Sequence, residues 1–242
     1  KDGEIKIAMV GKYVTLTDSY VSVNHALKHA AAKIGKSVSI DWIDSEEING
    51  KVNDLVKYNG ILVPGGFGSR GAEGIIKTAN FAREKNIPYL GICFGFQLAA
   101  VAFGRHVLNY SDANSTELDP KTSHPVVDLL PEQKTVSNMG GSLRLGAHDI
   151  TIKPSTIAYK AYNASHVSRR HRHRYEINTK YLPEFEKHGL VFSAESDNSK
   201  RMEMLEIPSH KFYFGVQFHP EFNSRPGFPE ESFEAFIQAS AS

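Results

Sequence analysis

The chain has 242 residues, and at roughly 150 residues per domain that is about 1.6 domains, a length that one α/β domain can fill. Such a chain buries roughly 70–75% of the surface its unfolded form exposes, so it needs no disulfide or metal staple. The 28 Lys+Arg against 27 Asp+Glu leave +1, which argues against a chain built to neutralise nucleic-acid phosphates, and 40% hydrophobic with 10% aromatic content excludes disorder.

The single cysteine, Cys93, excludes an intramolecular disulfide and zinc sites built from several thiols. The longest apolar run, Leu98–Phe103, is far short of the roughly 18–20 residues that span a bilayer. Lys1-Asp2-Gly3-Glu4 has neither an apolar signal core nor an initiating Met. A soluble, cytoplasmic piece of a longer chain is expected, without membrane or nucleic-acid partners.

In chain order, Ile5–Val10 reads as a buried strand ending at Gly11. Asp18 or Ser19 caps a helix through about Lys33, with Val23, Leu27, Ala30 and Ile34 on one face and Gly35 as its stop. Val38–Ile43 is a second strand. Gly60–Pro64 is a third, running into Gly65-Gly66-Phe67-Gly68. A helix follows over Ala72–Glu84, then a strand over Ile87–Ile92, then a helix from Gln97. This alternation predicts an open, mostly parallel sheet with helices on both faces. Beyond about residue 110 the rhythm changes, and 111–119 and 135–146 read as loops and short strands. Glu176–Asn178, Leu190–Ser193, Met202–Ile207 and Phe212–Phe218 read as later strands. Pro229–Ala241 closes the chain as an amphipathic helix with Phe233, Phe236 and Ile237 inward. No linker or repeat divides the chain, so residues 1–242 are expected to form a single domain.

Gly91-Ile92-Cys93-Phe94-Gly95 joins a strand to a helix. In a nucleophile elbow the turn is sharp and strained, so glycines flank the reactive residue, which is lifted to the carboxyl edge of the sheet. The helix N-terminus behind Cys93 favours a thiolate. An isolated free thiol is more often inert and buried; the flanking glycines and the strand–helix context tip the balance toward a nucleophile. A thiol nucleophile needs a base and the base an orienting group. Phe218-His219-Pro220-Glu221 is the candidate for both, since in extended chain residues two apart point the same way, although a strand end with its His and Glu simply solvated would read the same. The carboxylate of Glu221 would fix the imidazole tautomer of His219 and leave its other nitrogen for sulfur. Acyl chemistry also needs oxyanion donors. The N–H groups of Gly66 and Phe94 are the candidates, although a plain glycine turn would look the same. A phosphate cradle fails: Gly35-Lys36-Ser37 is present, but the leading glycine would fall at Ala30. The basic stretch Ser165–Glu176 would set Arg170, Arg172 and Arg174 on one side of a strand, suited to a carboxylate-bearing ligand or a neighbouring domain.

Taken together, the elbow at Cys93, the later His219-Pro220-Glu221 and the earlier Pro64-Gly65-Gly66 resemble the triad-type glutamine amidotransferases, which implies a flavodoxin-like fold. Further segments resemble one branch, the glutaminase domains of the CTP synthase family: Met9-Val10-Gly11-Lys12-Tyr13, Pro64–Gly71, Asn114-Ser115-Thr116-Glu117, Gly140–Gly146, Arg172–Glu176 and Gln217–Glu221. The resemblance implies that Cys93 attacks the side-chain amide of glutamine, His219 moves the proton, Glu221 orients it, and Gly66 and Phe94 hold the oxyanion. Ammonia leaves, and water releases glutamate from the thioester. It further implies that Gly66, Phe94, Gln97, Glu117, Arg174 and the backbone at Tyr175 bind glutamine, and that Arg70, Gly71 and Glu73 form a regulatory lid. In the family an amino-terminal synthetase domain uses ATP and Mg2+ to phosphorylate UTP, the ammonia gives CTP, GTP stimulates the glutaminase, and the full-length protein is a homotetramer. No metal or cofactor site is expected within these 242 residues. Phe94 and Phe96 are bulkier than the Leu and Met of many relatives, which bears on pocket shape. Two other readings stay open: a thiol hydrolase of γ-glutamyl substrates with no partner domain, and a non-catalytic regulatory module.

Overall fold

The computed structural model describes residues 3–12, 20–134 and 143–242. Its amino-terminal part alternates strand and helix: β1 (Glu4–Gly11), α1 (Val21–Lys33), β2 (Ser37–Asp44), β3 (Gly60–Val63), α2 (Ala72–Glu84), β4 (Tyr89–Ile92) and α3 (Phe94–His106). On α1, Val23, Leu27 and Ala30 are buried while Ile34, just past its end, is half-buried. Gly35 takes φ 68° there, a left-handed stop that suits glycine. The cap expected at Asp18 or Ser19 lies outside the described residues, as do Tyr13 and Gly140-Gly141-Ser142.

The carboxy-terminal part holds β5 (Asn114–Ser115), β6 (Pro125–Asp128), α4 (Pro131–Lys134), β7 (Arg144–Ile152), α5 (Ile157–Tyr162), β8 (His166–His173), β9 (Glu176–Ile177), α6 (Leu182–Lys187), β10 (Val191–Ser196), β11 (Arg201–Glu206), β12 (Tyr213–Val216) and α7 (Glu231–Ala241). The main sheet has nine strands in the order β2-β1-β3-β4-β12-β11-β10-β7-β8. From β2 to β12 the strands pair in parallel, in a flavodoxin-like order. From β12 onward the remaining four are antiparallel. One apolar cluster packs α2 and α3 against one face, and another packs α1 and α7 against the other. Strands β3, β4 and β12 are buried throughout, as continuous apolar runs covered on both faces must be.

Three local expectations need correction. The helix expected from Gln97 begins at Phe94, directly behind Cys93, so the elbow has no intervening loop. The strand expected at 212–218 is shorter, Tyr213–Val216; Gln217 still donates its N–H to the Glu203 carbonyl at 2.9 Å, and the chain turns across the sheet edge after it. Strand β8 ends at His173, so Arg170 and Arg172 share its exposed face and Arg174 lies beyond it. The alternating histidines, His171 and His173, point the other way and are buried.

Those histidines are buried because the antiparallel half carries a polar cluster. Glu203 on β11 is fully buried and accepts from Arg144 on β7 at 2.5 Å and from His171 Nε2 on β8 at 2.7 Å. Burial works against the Glu203 carboxylate, but the His171 bond and the Arg144 charge hold it down at about 2. A buried ion pair that loses one partner leaves an uncompensated charge, costing about 3–5 kcal/mol. Glu203→Ala is therefore expected to lower unfolding stability by about that amount in urea titrations. An unchanged unfolding midpoint would show that the cluster does not hold β7, β8 and β11 together.

Candidate active site

Strand β4 turns into α3 within one residue. At Gly91 an added Cβ would lie 2.7 Å from the Gly95 backbone, and at Gly95 one would lie 2.4 Å from the Val63 carbonyl oxygen. Only glycine fits at either place. Between them Cys93 is forced to φ 51°, ψ −96°, a strained conformation for a residue with a side chain. Its N–H donates to the Val216 carbonyl at 2.7 Å, which ties the turn to β12. The thiol is buried, with the Arg172 carbonyl oxygen 3.9 Å and Gln217 Nε2 3.8 Å from Sγ.

His219 follows β12, and its N–H donates to the Arg170 carbonyl at 2.9 Å. The chain there is not extended, as its spacing in the sequence suggests. Pro220–Asn223 is a tight helical turn with Pro220 in its first position, and His219 caps it. The turn folds Glu221 back so that its Oε1 lies 2.8 Å from His219 Nδ1. The other ring nitrogen is left for the Cys93 thiol, whose nearness favours the charged imidazole. Gly65 makes room for the ring, since a Cβ there would lie 2.8 Å from His219 Cε1. Burial opposes the imidazolium, but the bonds to Cys93 and Glu221 and their charges overcome it and raise His219 to about 10. His219 thus holds its second proton at neutral pH.

A cavity of about 530 Å³ opens over this pair, and Gly66, Gln97, Glu117, Arg174 and Tyr175 line it together with Cys93 and His219. Gly66 and Phe94, the two candidate oxyanion donors, are neighbours: a Cβ on Gly66 would lie 3.6 Å from Phe94 Cδ1. Glu117 Oε1 accepts the Gly68 N–H at 2.7 Å, so it fastens the glycine loop as well as facing the cavity. Gln97 spends its amide N–H groups on the Tyr175 carbonyl at 2.9 Å and on Gln217 Oε1 at 3.1 Å. Gln133 Nε2 donates to the Arg174 carbonyl at 2.8 Å, fixing the backbone that carries the guanidinium. The rings of Phe94 and Phe96 are buried and line no part of this cavity; Phe96 instead packs where a Gly215 side chain would stand.

Arg70, Gly71 and Glu73 lie apart from the cavity lining. Arg70 bridges Glu46 at 2.8 Å and the Lys12 carbonyl at 2.9 Å. Gly71 takes φ 68° to start α2, and Glu73 pairs with Arg105 at 2.8 Å. Lys12 is a residue to which sequence reasoning gave no role. Its ammonium is buried at the end of β1, donates to the Phe67 and Gly68 carbonyls, and sits 4.3 Å over the Phe94 ring. Burial brings it down to about 8, with Arg70 adding to that and Glu117 and Glu46 opposing it. A lysine at the carboxyl end of the first strand was the available signal.

Residues 15–239 match the family Glutamine amidotransferase class-I. The chain belongs to the class-I glutamine amidotransferases. Among related amidotransferases, CTP synthase from Archaeoglobus fulgidus is 54% identical over 98% of this chain and 44% of its own length. CTP synthase from Staphylococcus carnosus is 51% identical over the same shares. The chain thus spans less than half the length of these two curated relatives. The glutaminase domain of Trypanosoma brucei CTPS, solved with bound acivicin, superposes with a TM-score of 0.92 at 39% identity, over 98% of this chain and 94% of that one. That match puts this amidotransferase in the CTP synthase branch. A putative GMP synthase component from Thermoplasma acidophilum, at TM-score 0.62 and 18% identity over 98% of this chain and 94% of that one, shares the fold.

The raised His219 value depends on its partner across the cavity. Cys93→Ala removes one bond and one charge that favour the imidazolium and leaves burial and Glu221. His219 is therefore expected to titrate at lower pH in that variant, read from its ring proton shifts by NMR. An unmoved titration would show that sulfur and imidazole do not share a proton.

Proposed function

We propose that this chain hydrolyses glutamine to glutamate and ammonia, and that the ammonia serves a synthetase part of the same protein. What carries the reading is the run Cys93–His219–Glu221 at the floor of a cavity with Glu117 and Arg174 on its wall. Glutamine presents one ammonium, one carboxylate and one amide. Glu117 is suited to the first and Arg174 to the second, with Gln97 and the Tyr175 backbone between them. The amide carbon then lies toward Cys93.

Cys93 Sγ attacks that carbon, a C–S bond forms, and the carbonyl oxygen becomes an oxyanion held by the N–H groups of Gly66 and Phe94. The proton on His219 passes to the amide nitrogen, the C–N bond breaks and ammonia leaves. Water attacks the thioester, His219 takes its proton, and the C–S bond breaks to release glutamate. Glu221 keeps Nδ1 bonded throughout, so proton traffic runs through the nitrogen facing sulfur. Arg70, Gly71 and Glu73 belong in this reading to a regulatory segment, because Arg70 ties Glu46 to the Lys12 backbone and Lys12 in turn holds the glycine loop.

The remainder of the reading concerns the whole protein. The similarity to CTP synthases supports placing the whole protein among them; amination of UTP to CTP with ATP and Mg2+, GTP as activator and a homotetrameric assembly are proposed with that reading. Among the described residues no three His, Cys, Asp or Glu side chains are placed to hold a metal ion. ATP and Mg2+ are assigned in this reading to the synthetase part. No helix among the described residues is long and apolar enough to cross a membrane, and cytoplasmic location is proposed with the rest.

Cys93→Ala is expected to abolish glutamate release without unfolding the protein, read by a coupled glutamate assay and thermal melting; release at the parent rate would overturn the assignment. Glu117→Ala is expected to raise KM for glutamine more than it lowers kcat, and the reverse pattern would contradict its role on the ammonium.

A further inference from the structure

Gln217 is fully buried, and the sequence and the mechanism above give it no task. Burying a primary amide is costly unless each of its ends is bonded. Its place follows from sheet register. Strands β12 and β4 pair in parallel with Gly215 opposite Gly91 and Val216 opposite Ile92, so the next residue on each, Gln217 and Cys93, come side by side. The backbone of Gln217 is fixed by its N–H to the Glu203 carbonyl at 2.9 Å.

The direction of its amide is set by a chain of bonds that starts from an atom that cannot flip. The Tyr175 main-chain carbonyl is an acceptor only. Gln97 meets it at 2.9 Å, so the Gln97 nitrogen must face it. The same nitrogen meets Gln217 at 3.1 Å, so Gln217 must present its oxygen there. The Gln217 nitrogen is then turned toward Cys93 Sγ, at 3.8 Å. Reversing either amide would set oxygen against oxygen or N–H against N–H within a buried cluster. His173 reinforces the anchor, its Nδ1 lying 3.1 Å from the same Tyr175 carbonyl.

We infer that Gln217 is a dedicated N–H donor to the nucleophilic sulfur, oriented by Gln97 and the Tyr175 carbonyl. The inference rests on the reading of Cys93 as the nucleophile. A sulfur anion accepts such a bond better than a thiol or thioester does, because charge strengthens the bond. The donor therefore favours the reactive state and fixes the sulfur between His219 and the cavity. It also ties substrate binding to the nucleophile, since Gln97 lines the cavity.

The test is the rate at which iodoacetamide alkylates Cys93, followed by mass mapping of the Cys93 peptide at neutral pH. This small reagent needs no glutamine site, so the readout is separate from glutamine turnover. Gln217→Met keeps length and removes both the donor and the acceptor toward Gln97; Gln217→Glu keeps that acceptor and sets a carboxylate against sulfur. Alkylation is expected to fall about tenfold in the first, the loss of one charge-assisted bond, and further in the second. In glutamine turnover kcat should fall in both, with KM changed less than about twofold in Gln217→Glu, which keeps the Gln97 contact, a split that general loosening of the pocket would not give. Alkylation at the parent rate in either folded variant would overturn the inference. In the parent protein, NMR should show one of the two Gln217 side-chain amide protons moving upfield when Cys93 is changed to Ala; an unmoved pair would overturn it as well. Failure of the parent to release glutamate would instead count against the proposed function.

Discussion

Cys93 takes a positive φ because β4 must reverse into α3 in a space that admits no Cβ on either flank. Strain of this kind costs on the order of 1–3 kcal/mol and survives only where the surroundings over-determine it. Here the Gly95 position is closed by the Val63 carbonyl on β3, and the Cys93 N–H is bonded to Val216 on β12. The neighbours of β4 on both sides therefore hold the turn. The parallel sheet thus acts as the frame of the elbow, and the sulfur emerges at its carboxyl edge as a consequence.

The antiparallel strands serve a different end. They supply the second wall of the cavity and the anchor of His219. The Arg170 carbonyl on β8 receives the His219 N–H, and Arg172, His173, Arg174 and Tyr175 form the side of the cavity facing α3. That wall rests on a charged cluster in which Glu203 gathers Arg144 and His171. Burying such a cluster is not an efficient way to gain stability. It does tie three strands at fixed spacing through directional bonds, which holds the wall opposite Cys93 in place.

The sequence shows best what depends on local pattern. Glycines around Cys93, the apolar spacing of α1 and the His219-Pro220-Glu221 triplet each carry their own physical signature. Helix α2 falls on Ala72–Glu84 as expected, and Phe233, Phe236 and Ile237 face inward on α7. The signal fails where burial reverses polarity. β8 reads as a basic surface strand because the partner of His171, Glu203, lies 32 residues away in sequence. Gln217 looks like a polar spacer because its meaning comes from register with β4, a pairing no local window contains. Lys12 has the same difficulty, its acceptors being the Phe67 and Gly68 carbonyls.

Lys12 and Gln217 share one thing with Glu117 and Gln97, which the sequence did single out. Lys12 holds the glycine loop and lies over the Phe94 ring, so it touches both candidate sources of oxyanion donors. Glu117 holds the same loop from the cavity side through the Gly68 N–H. Gln97 and Gln217 link the cavity wall to the sulfur. Each of the three parts of the site, namely the loop, the elbow and the wall, is therefore bonded to another by a buried polar side chain. A ligand that engages Glu117 necessarily loads the bond to the glycine loop, and a displacement of the Arg70–Lys12 contact loads it from the other side. Cavity wall and glycine loop are thus joined through a few short bonds, Glu117 to the Gly68 N–H and Lys12 to the Phe67 carbonyl among them.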